Sequence, residues 1–254
     1  MRFAAPRIAA EAQPGQWVHV RCSDTWDPLL RRPLSIADVA DDRQSFFILC
    51  RLVGRGTEKL VAKRPGETAD IIGPIGHGFD LRQVAHSTPQ RRPAVALVAG
   101  GYGVAPLHLL LRTLREQAGT DLTAAVFIGA ETAERLLFLQ RLDELADELH
   151  TATVDGTLGH KGLVTEPFQA AMSSRPADVA FSCGPTAMMA EVARICTAHN
   201  VPCQVSLEQH MGCGVGVCLG CAVPIRADGG VVYRRACCDG PVFPAELVAW
   251  EDMA

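Results

Sequence analysis

Short apolar runs broken by Gly and Pro characterise the first 80 residues of the chain. Runs of β-branched and aromatic residues at 16–22, 45–53 and 68–72 predict strands, each lying between turn-forming residues. No long stretch in this part has apolar positions at helical spacing. The pattern therefore predicts a small antiparallel barrel or sandwich.

The pattern changes after residues 81–92, a polar segment that we expect to be a linker. Beyond it, buried-type strands alternate with amphipathic stretches. Strands are predicted at 95–99, 122–128, 177–182 and 203–207, and helices at about 105–117, 132–149 and 185–199. Strands that alternate with helices of this length indicate βαβ units and a parallel sheet. The last segment, 208–254, is rich in Gly and Cys and has only short, irregular apolar runs.

These patterns predict a mixed β and α/β fold of three modules. An antiparallel β-barrel would occupy residues 1–85, a parallel α/β domain residues 93–205, and a small cysteine-rich domain residues 206–254. With 48% hydrophobic and 20% charged residues, the chain can build a sizeable core.

The charge and hydropathy exclude several classes of partner. The formal net charge is −4 and no dense run of Lys and Arg occurs, so the chain lacks the footprint of nucleic-acid binding. No apolar stretch approaches the roughly 20 residues of a membrane span. The N-terminus also lacks the apolar region of a signal peptide. We expect a cytoplasmic protein that binds neither nucleic acid nor membrane.

Five of the ten cysteines lie in a short C-terminal stretch, and this clustering is the strongest chemical signal in the sequence. In a reducing compartment, clustered cysteines are more often metal ligands than disulfides. Cys213, Cys218 and Cys221 have the C-x4-C-x2-C spacing of a plant-type [2Fe–2S] loop, which needs one more distant cysteine. Spacing alone leaves both Cys237 and Cys238 open as that fourth ligand.

Glycines within the cysteine loop favour an iron–sulfur cluster. A loop around two irons adopts unusual backbone dihedrals and directs N–H groups at sulfur, which residues without a Cβ do at least cost. Four thiolates also suit tetrahedral zinc, but zinc sites usually combine two short Cys pairs. A set of merely buried or reactive thiols is the remaining alternative.

Two motifs in the first module are candidates for phosphate binding. Arg32, Pro33, Leu34 and Ser35 stand at the start of a barrel strand, and an Arg with a neighbouring hydroxyl can hold a pyrophosphate. Residues 54–57, Gly-Arg-Gly-Thr, precede a helical stretch whose first N–H groups can face a phosphate. Each motif alone is common in β domains of any kind.

Two turns follow predicted strands at the carboxyl edge of the parallel sheet, where ligands bind in such folds. The first is Gly100-Gly101-Tyr102-Gly103-Val104-Ala105-Pro106, which opens a helix and suits close approach of a dinucleotide. The second is Ser182-Cys183-Gly184-Pro185. Both turns would also serve as tight connections chosen for packing.

Glu131 follows the predicted strand at 122–128 and bears on the choice of nucleotide. An acidic residue there can bind a ribose hydroxyl and repel a 2′-phosphate, which favours NAD over NADP. A glutamate at the start of a helix is equally explained by the helix dipole.

The order of these motifs resembles the ferredoxin–NADP reductase superfamily. Further stretches narrow the resemblance, over nearly the whole chain, to the electron transfer subunits of type B dihydroorotate dehydrogenase. They are residues 72–76 (Ile-Gly-Pro-Ile-Gly), 159–162 (Gly-His-Lys-Gly), 206–208 (Ser-Leu-Glu), the cysteine loop, and 237–243 (Cys-Cys-Asp-Gly-Pro-Val-Phe).

The resemblance implies FAD, a [2Fe–2S] cluster and NAD as cofactors, with FAD between the barrel and an NAD-binding domain. Its implied flavin contacts are Arg32, Pro33, Leu34, Ser35, Leu49, Cys50, Arg51, Gly56 and Thr57. Its nucleotide contacts would be Gly100, Gly101, Gly103, Ala105, Pro106, Cys183, Gly184 and Pro185. In the family, one residue separates the cluster cysteine from Asp-Gly-Pro-Val-Phe, which implies Cys237 as the fourth ligand beside Cys213, Cys218 and Cys221.

The resemblance also implies a function in de novo pyrimidine (UMP) biosynthesis. An FMN-containing catalytic subunit would oxidise dihydroorotate to orotate, and this chain would pass the electrons through [2Fe–2S] and FAD to NAD+. FAD belongs between the other two groups because it exchanges both hydrides and single electrons. A heterotetramer with two copies of each subunit is implied. No catalytic acid or base is expected in this chain, although Cys183 would lie near the nicotinamide.

Three alternatives stay open at this point. A subunit of a ferredoxin-linked or sulfide-linked NAD(P)H reductase is the nearest, but many of those have Asp at the first cluster position, where this chain has Cys213. A standalone reductase that feeds an oxygenase would have a longer ferredoxin domain. A structural zinc knot on a non-catalytic binding module is the third.

The start of the chain departs from the family pattern. Family members begin with one more strand, so this sequence would start inside the second strand of the barrel. We expect an exposed sheet edge there, and we expect a chain extended upstream to retain FAD better than this one.

Overall fold

The structure, a computed structural model, describes residues 1–85 and 91–253. Its strands are β1 (Arg2–Ala4), β2 (Trp17–Val20), β3 (Arg32–Val39), β4 (Ser45–Ile48), β5 (Ile71–Ile75), β6 (Ala94–Gly100), β7 (Thr123–Ala130), β8 (Glu148–Thr153), β9 (His160–Lys161), β10 (Val179–Cys183), β11 (Cys203–Ser206), β12 (Ala222–Ala227), β13 (Gly230–Arg235) and β14 (Val242–Pro244). Its helices are α1 (Pro6–Glu11), α2 (Arg55–Val61), α3 (Arg82–Ala85), α4 (Val104–Ala118), α5 (Leu139–Leu145), α6 (Thr165–Ser174) and α7 (Thr186–Ala198).

The first sheet is antiparallel and has the spatial order β1-β4-β3-β2-β5. Its inner face is apolar: Val18, Ile36, Phe46 and Ile48 are at most 1% exposed. This half-barrel confirms the predicted fold class of the first module. The helices within it, α1 and α2, are short, as the lack of a long apolar helical pattern predicted.

Two predicted strand ends in the half-barrel are wrong. The predicted strand at 45–53 ends at Ile48, because the residues after it leave the sheet and enter a cleft. The predicted strand at 68–72 begins only at Ile71, where pairing with β2 starts.

The second sheet is parallel except at one edge, in the order β14-β11-β10-β6-β7-β8-β9. Successive residues of β6 face opposite cores. Val95 and Leu97 pack with α4 and α5, and Ala96 and Val98 pack with α6 and α7. Helices on both faces of a parallel sheet confirm the predicted α/β domain, and α4 and α7 follow the predicted helices at 105–117 and 185–199 closely.

The predicted helix at 132–149 is confirmed only over α5, and the rest of the range is not α-helical. The chain instead forms a 3-10 turn at Ala133–Arg135, then α5, then β8, which pairs in parallel with β7. Phe138 adopts a left-handed conformation with φ of 63°, which interrupts any continuous helix before α5. Leu149 and Ala152 belong to β8, which forms because it can pair with β7.

The segment expected to be a linker, 81–92, contains α3, and its residues 86–90 lie outside the described part of the chain. None of the helices formed by the described residues is long and apolar enough to cross a membrane.

The C-terminal segment returns to the second sheet. A hairpin of β12 and β13 follows the cysteine loop, and β14 then pairs antiparallel with β11, with Phe243 opposite Val205. The loop that carries three of the candidate ligands is therefore anchored on both sides, by β11 before it and by the hairpin after it.

Helix α4 joins the half-barrel to the parallel sheet. His108 donates a hydrogen bond from Nδ1 to the Ala37 carbonyl over 2.9 Å, and Arg112 pairs with the buried Asp38 at 2.8 Å. Asp38 also accepts from Arg141 at 3.1 Å. These contacts fix the two domains against each other, and a cleft opens beside them.

Candidate functional site

A cleft of about 730 Å³ separates the half-barrel from the parallel sheet, and most of the predicted cofactor residues line it. From the half-barrel these are Arg32, Pro33, Leu34, Ser35, Leu49, Arg51 and Thr57; from the sheet they are Gly100, Gly101, Gly103, Ala105, Gly184 and Pro185. Residues far apart in sequence thus meet here, because β3 faces the carboxyl ends of β6 and β10.

Four predicted contact residues lie behind the cleft wall. Cys50 points into the barrel core beside Cys22, because neighbouring side chains of an extended segment point in opposite directions; Leu49 and Arg51 face the cleft instead. Burial raises the pKa of the Cys50 thiol. The others are Gly56, Pro106 and Cys183, all buried.

Gly56 provides the space that Arg32 occupies. A Cβ on Gly56 would lie 2.7 Å from the Nε and Nη2 atoms of the Arg32 guanidinium. Arg32 also donates from Nη1 to the Leu30 carbonyl at 2.7 Å. Thr57 shapes the same corner: its hydroxyl donates to the Gly54 carbonyl at 2.9 Å and accepts from the Val53 N–H at 3.0 Å.

A second cavity, of about 580 Å³, lies at the carboxyl ends of β6, β7 and β10 and shares Gly100 and Gly101 with the cleft. Glu131 lines it and forms an ion pair with Arg135. Gly103 packs so tightly against the carbonyl of Cys183 that any Cβ there would collide with it. The two glycine turns are therefore in direct contact, as two parts of one binding edge would be.

Cys183, at the end of β10, lies close to Glu208 of the cleft lining. Cys183 is 1% exposed, and burial, with Glu208 nearby, raises the pKa of its thiol well above the ordinary value. Glu208 lines the cleft and is accessible to solvent. The surrounding residues still desolvate its carboxyl group, which raises its pKa. Sequence reasoning did not single out Glu208 as a site residue; the motif Ser206-Leu207-Glu208 was its only signal.

Backbone N–H groups of the cysteine loop converge on two sulfur atoms. The N–H groups of Val215, Val217 and Cys218 each lie 3.4 Å from Cys213 Sγ. Those of Cys213 and Gly220 lie 3.5 Å from Cys218 Sγ. The three N–H groups that face Cys213 lower its pKa to about 6. The loop backbone therefore favours the thiolate form of Cys213.

The other two candidate ligands are buried beneath the loop. Cys221 and Cys237 are 2% and 0% exposed. Burial and the adjoining Cys221 thiol raise the pKa of Cys237 to about 12. Cys238 instead lies half-buried beside Asp239, with Sγ 4.0 Å from Oδ1. The candidate ligands therefore form two adjoining pairs, Cys213 with Cys218 and Cys221 with Cys237.

Arg235 ties the hairpin to the cysteine loop. Its guanidinium donates to both carboxylate oxygens of Asp239, at 2.8 and 2.9 Å, and to the Gly216 carbonyl at 3.0 Å. Gly214 and Gly216 have φ of 70° and 81°, which favours glycine. Among the residues described, no three His, Cys, Asp or Glu side chains converge as a ready-made site for a single metal ion.

Two aromatic residues of β2 separate the cleft from the cysteine loop. Trp17 lines the cleft and makes an edge-to-face contact with His19, with ring centroids 5.5 Å apart. His19 is 1% exposed, and burial lowers its pKa. Neither ring nitrogen of His19 has a hydrogen-bond partner within the described part of the chain.

Two protein-family models match parts of the chain. The iron–sulfur cluster binding domain of dihydroorotate dehydrogenase B matches residues 208–249, and the oxidoreductase NAD-binding domain matches residues 97–194.

Curated relatives match nearly the full length. A dihydroorotate dehydrogenase B (NAD(+)) electron transfer subunit from Desulforamulus reducens is 43% identical over 251 residues, which cover 99% of this chain and 92% of the relative. The subunit of the same name from Shouchella clausii is 39% identical over 92% of this chain and 85% of its own.

Solved structures show the same architecture. A chain of an NADH-dependent reduced ferredoxin-NADP oxidoreductase superposes with a TM-score of 0.81 and 30% identity, over 99% of this chain and 84% of that one. The ferredoxin reductase of carbazole 1,9a-dioxygenase, at 19% identity and a TM-score of 0.58 over 76% of this chain and 58% of its own, shows the fold alone.

Proposed function

The chain belongs to the family of dihydroorotate dehydrogenase B electron transfer subunits, and we propose that it passes electrons from the FMN of a dihydroorotate-oxidising partner, through a [2Fe–2S] cluster and FAD, to NAD+. It is a component of an NAD-dependent oxidoreductase. The observation that carries the electron path is the position of the cysteine loop, which lies on the other side of Trp17 and His19 from the cleft.

The cysteine loop suits a [2Fe–2S] cluster held by Cys213, Cys218, Cys221 and Cys237. One thiol pair lies at the loop surface and one beneath it. This arrangement suits a cluster with two irons better than it suits a single metal ion. The backbone N–H groups that face Cys213 and Cys218 are the donors that stabilise anionic sulfur around such a cluster. We propose that Cys238 does not bind the cluster.

The cleft suits FAD. Arg32 and Ser35 stand at its wall, where a guanidinium and a hydroxyl can hold a pyrophosphate, and Arg51 adds a second cation. Gly56 and Thr57 fix the corner from which Arg32 reaches in. When bound, FAD supplies the conversion between hydride and single-electron transfer.

The cavity behind Gly100 and Gly101 suits NAD. It opens at the carboxyl ends of three parallel strands, where dinucleotides bind in this fold. Glu131 is proposed to accept from a ribose hydroxyl and to repel a 2′-phosphate, with Arg135 orienting its carboxylate. The residues of this chain bind and orient the nucleotide and exclude water, and we assign no acid or base to any of them.

The proposed domains are residues 1–85 for FAD, 93–205 for NAD and 206–254 for the cluster. In the structure β14 pairs with β11, so the last of these domains is built onto the sheet of the second. The cytoplasmic location expected from the sequence stays a prediction.

The surface of the cysteine loop is the proposed entry point for electrons. Val215, Val217 and Leu219 stand between the candidate ligands and are 56%, 78% and 63% exposed. Apolar side chains so exposed beside a redox group favour contact with a partner protein. We propose that the FMN-containing subunit docks there, in a heterotetramer with two copies of each chain.

Co-expression with an FMN-containing dihydroorotate dehydrogenase from the same source tests this function. The purified complex should contain FAD, FMN and two irons with two sulfides per copy of this chain, and it should reduce NAD+ when given dihydroorotate. A colourless protein with stoichiometric zinc would overturn the electron path altogether.

The likeness to the ferredoxin-NADP oxidoreductase chain favours a second candidate function, in a ferredoxin-linked or sulfide-linked reductase. Assays of the same complex, or of this chain with reduced ferredoxin, distinguish the two functions. Reduction of NAD+ or NADP+ by ferredoxin or sulfide, with no response to dihydroorotate, would transfer the assignment to that class.

A further inference from the structure

His19 is a buried polar residue with no visible partner. It lies on β2 opposite Pro33 of β3, is 1% exposed, and neither ring nitrogen forms a hydrogen bond with any described residue. An imidazole has at least one N–H donor in either charge state. Because buried polar groups are nearly always paired in native proteins, an unpaired buried ring calls for an explanation.

The surroundings of His19 connect the cleft with the cysteine loop. On one side stands Trp17, which lines the cleft opposite Ser35. On the other side stands Gly214, the residue after Cys213. A Cβ on Gly214 would lie 3.0 Å from His19 Cε1 and 3.1 Å from Trp17 Cη2, and closer still to His19 Nδ1. The loop backbone therefore packs directly on both rings, and the Nδ1 edge of His19 faces it.

We propose that His19 is a positioning residue for the iron–sulfur cluster: its ring N–H donates to the main-chain carbonyl of Cys213 when the cluster is bound, and so fixes the cluster loop against the flavin cleft. The backbones of Arg31 and Cys213 both lie near enough to the ring to raise its pKa as acceptors, although neither contact has the geometry of a formed hydrogen bond. This inference rests on the proposed function, since it assigns the missing partner to the loaded loop.

Two effects distinguish this positioning role from a merely structural role of His19: the stability of the apoprotein and the retention of the cluster. In the apoprotein the ring is unpaired, so its replacement by an apolar ring of similar size should not lower stability. In the loaded protein the same replacement removes the donor, so the cluster should be held less firmly. Residues that orient metal ligands typically change metal affinity by roughly 10-fold to 100-fold.

Three variants test it. His19→Phe keeps the edge contact with Trp17 but has no donor. His19→Asn places an amide N–H near the position of Nδ1. His108→Phe, the matched control, removes another buried imidazole whose Nδ1 is paired with the Ala37 carbonyl, at the α4–β3 contact. Each is purified with its cluster, and iron release to a chelator is timed while the EPR spectrum of the dithionite-reduced cluster is recorded.

The His19→Phe protein should release iron at least about 10-fold faster than the wild type, with a changed EPR spectrum, while its apoprotein unfolds at the wild-type temperature or above. The His19→Asn protein should regain most of the retention, and the His108→Phe protein should release iron at the wild-type rate. Wild-type protein without a cluster would overturn both the proposed function and this inference. A loaded wild type with an indistinguishable His19→Phe variant would overturn the inference alone.

Discussion

At the scale of single residues, the proposed ligands differ sharply in environment. Cys213 lies on a loop whose N–H groups lower its pKa to about 6, so it is mostly thiolate at neutral pH. Cys237 is buried against Cys221, and its pKa is raised to about 12. A metal ion must therefore displace the proton from Cys237, whereas Cys213 is ready to bind.

Substitutions of the adjacent residues Cys237 and Cys238 test which of them is the fourth ligand. A Cys237→Ser change should abolish electron transfer from the partner subunit, because it removes a ligand, while NADH oxidation with an artificial acceptor should stay close to the wild-type rate. Cys238→Ser is the matched control and should keep the cluster. Iron content and both activities are measured in parallel. Loss of both activities in the Cys237→Ser protein would show that the cluster is needed for folding.

At the scale of secondary-structure elements, local signals predicted the turns better than the strands. The glycine turn at Gly100 and the helix after it follow from residues close together in sequence, and both were predicted. Strands β8 and β14 were not, because they form only where the growing sheet offers an edge. The helix predicted over 132–149 was too long for the same reason, because its last residues belong to β8. His19 carries no signal in the sequence, since nothing there tells what its strand will face.

Helix α2 offers a prediction about flavin binding. Gly56→Ala should displace the Arg32 guanidinium, because the new Cβ would lie 2.7 Å from it. Loss of one charge-assisted hydrogen bond contributes about 1.5–3 kcal/mol, so FAD should bind about 10-fold more weakly or worse. Gly54→Ala is the control, since a Cβ there meets nothing within 4 Å. FAD titration by fluorescence quenching measures both. Equal affinities would show that Arg32 does not hold the flavin.

Asp147 couples two elements in a pH-dependent way. Burial opposes its charge, but the Ala124 N–H, at 2.7 Å, and Arg115 outweigh burial and lower the pKa of Asp147. A depressed pKa contributes stability above the unfolded value of about 3.9, which is lost as the pH falls through the folded value. Between pH 5 and 3, the free energy of unfolding should fall more steeply in the wild type than in Asp147→Asn. Urea denaturation across this range measures it, and parallel curves would contradict the coupling.

At the scale of the whole molecule, three contacts align the proposed cofactor sites. Helix α4 fixes the half-barrel to the parallel sheet, β14 fixes the C-terminal segment to that same sheet, and β2 presents Trp17 and His19 between the cleft and the cysteine loop. Each module carries one proposed site, and these contacts support the proposed order of the sites along the electron path. The cysteine loop then stands at the outer end of that order, with its apolar side chains exposed.

That exposed end predicts where the partner docks. Val217 is 78% exposed and lies next to Cys218, so Val217→Arg should leave the fold and the oxidation of NADH by an artificial acceptor unchanged. A charge in an apolar contact is costly to desolvate, so binding of the FMN-containing subunit and NAD+ reduction by dihydroorotate should both fall, by about 10-fold or more. Leu158→Arg, on the loop between β8 and β9, changes an exposed apolar residue far along the sheet and should have no such effect. If Leu158→Arg weakened binding and Val217→Arg did not, electrons would have to enter from the side of the NAD domain.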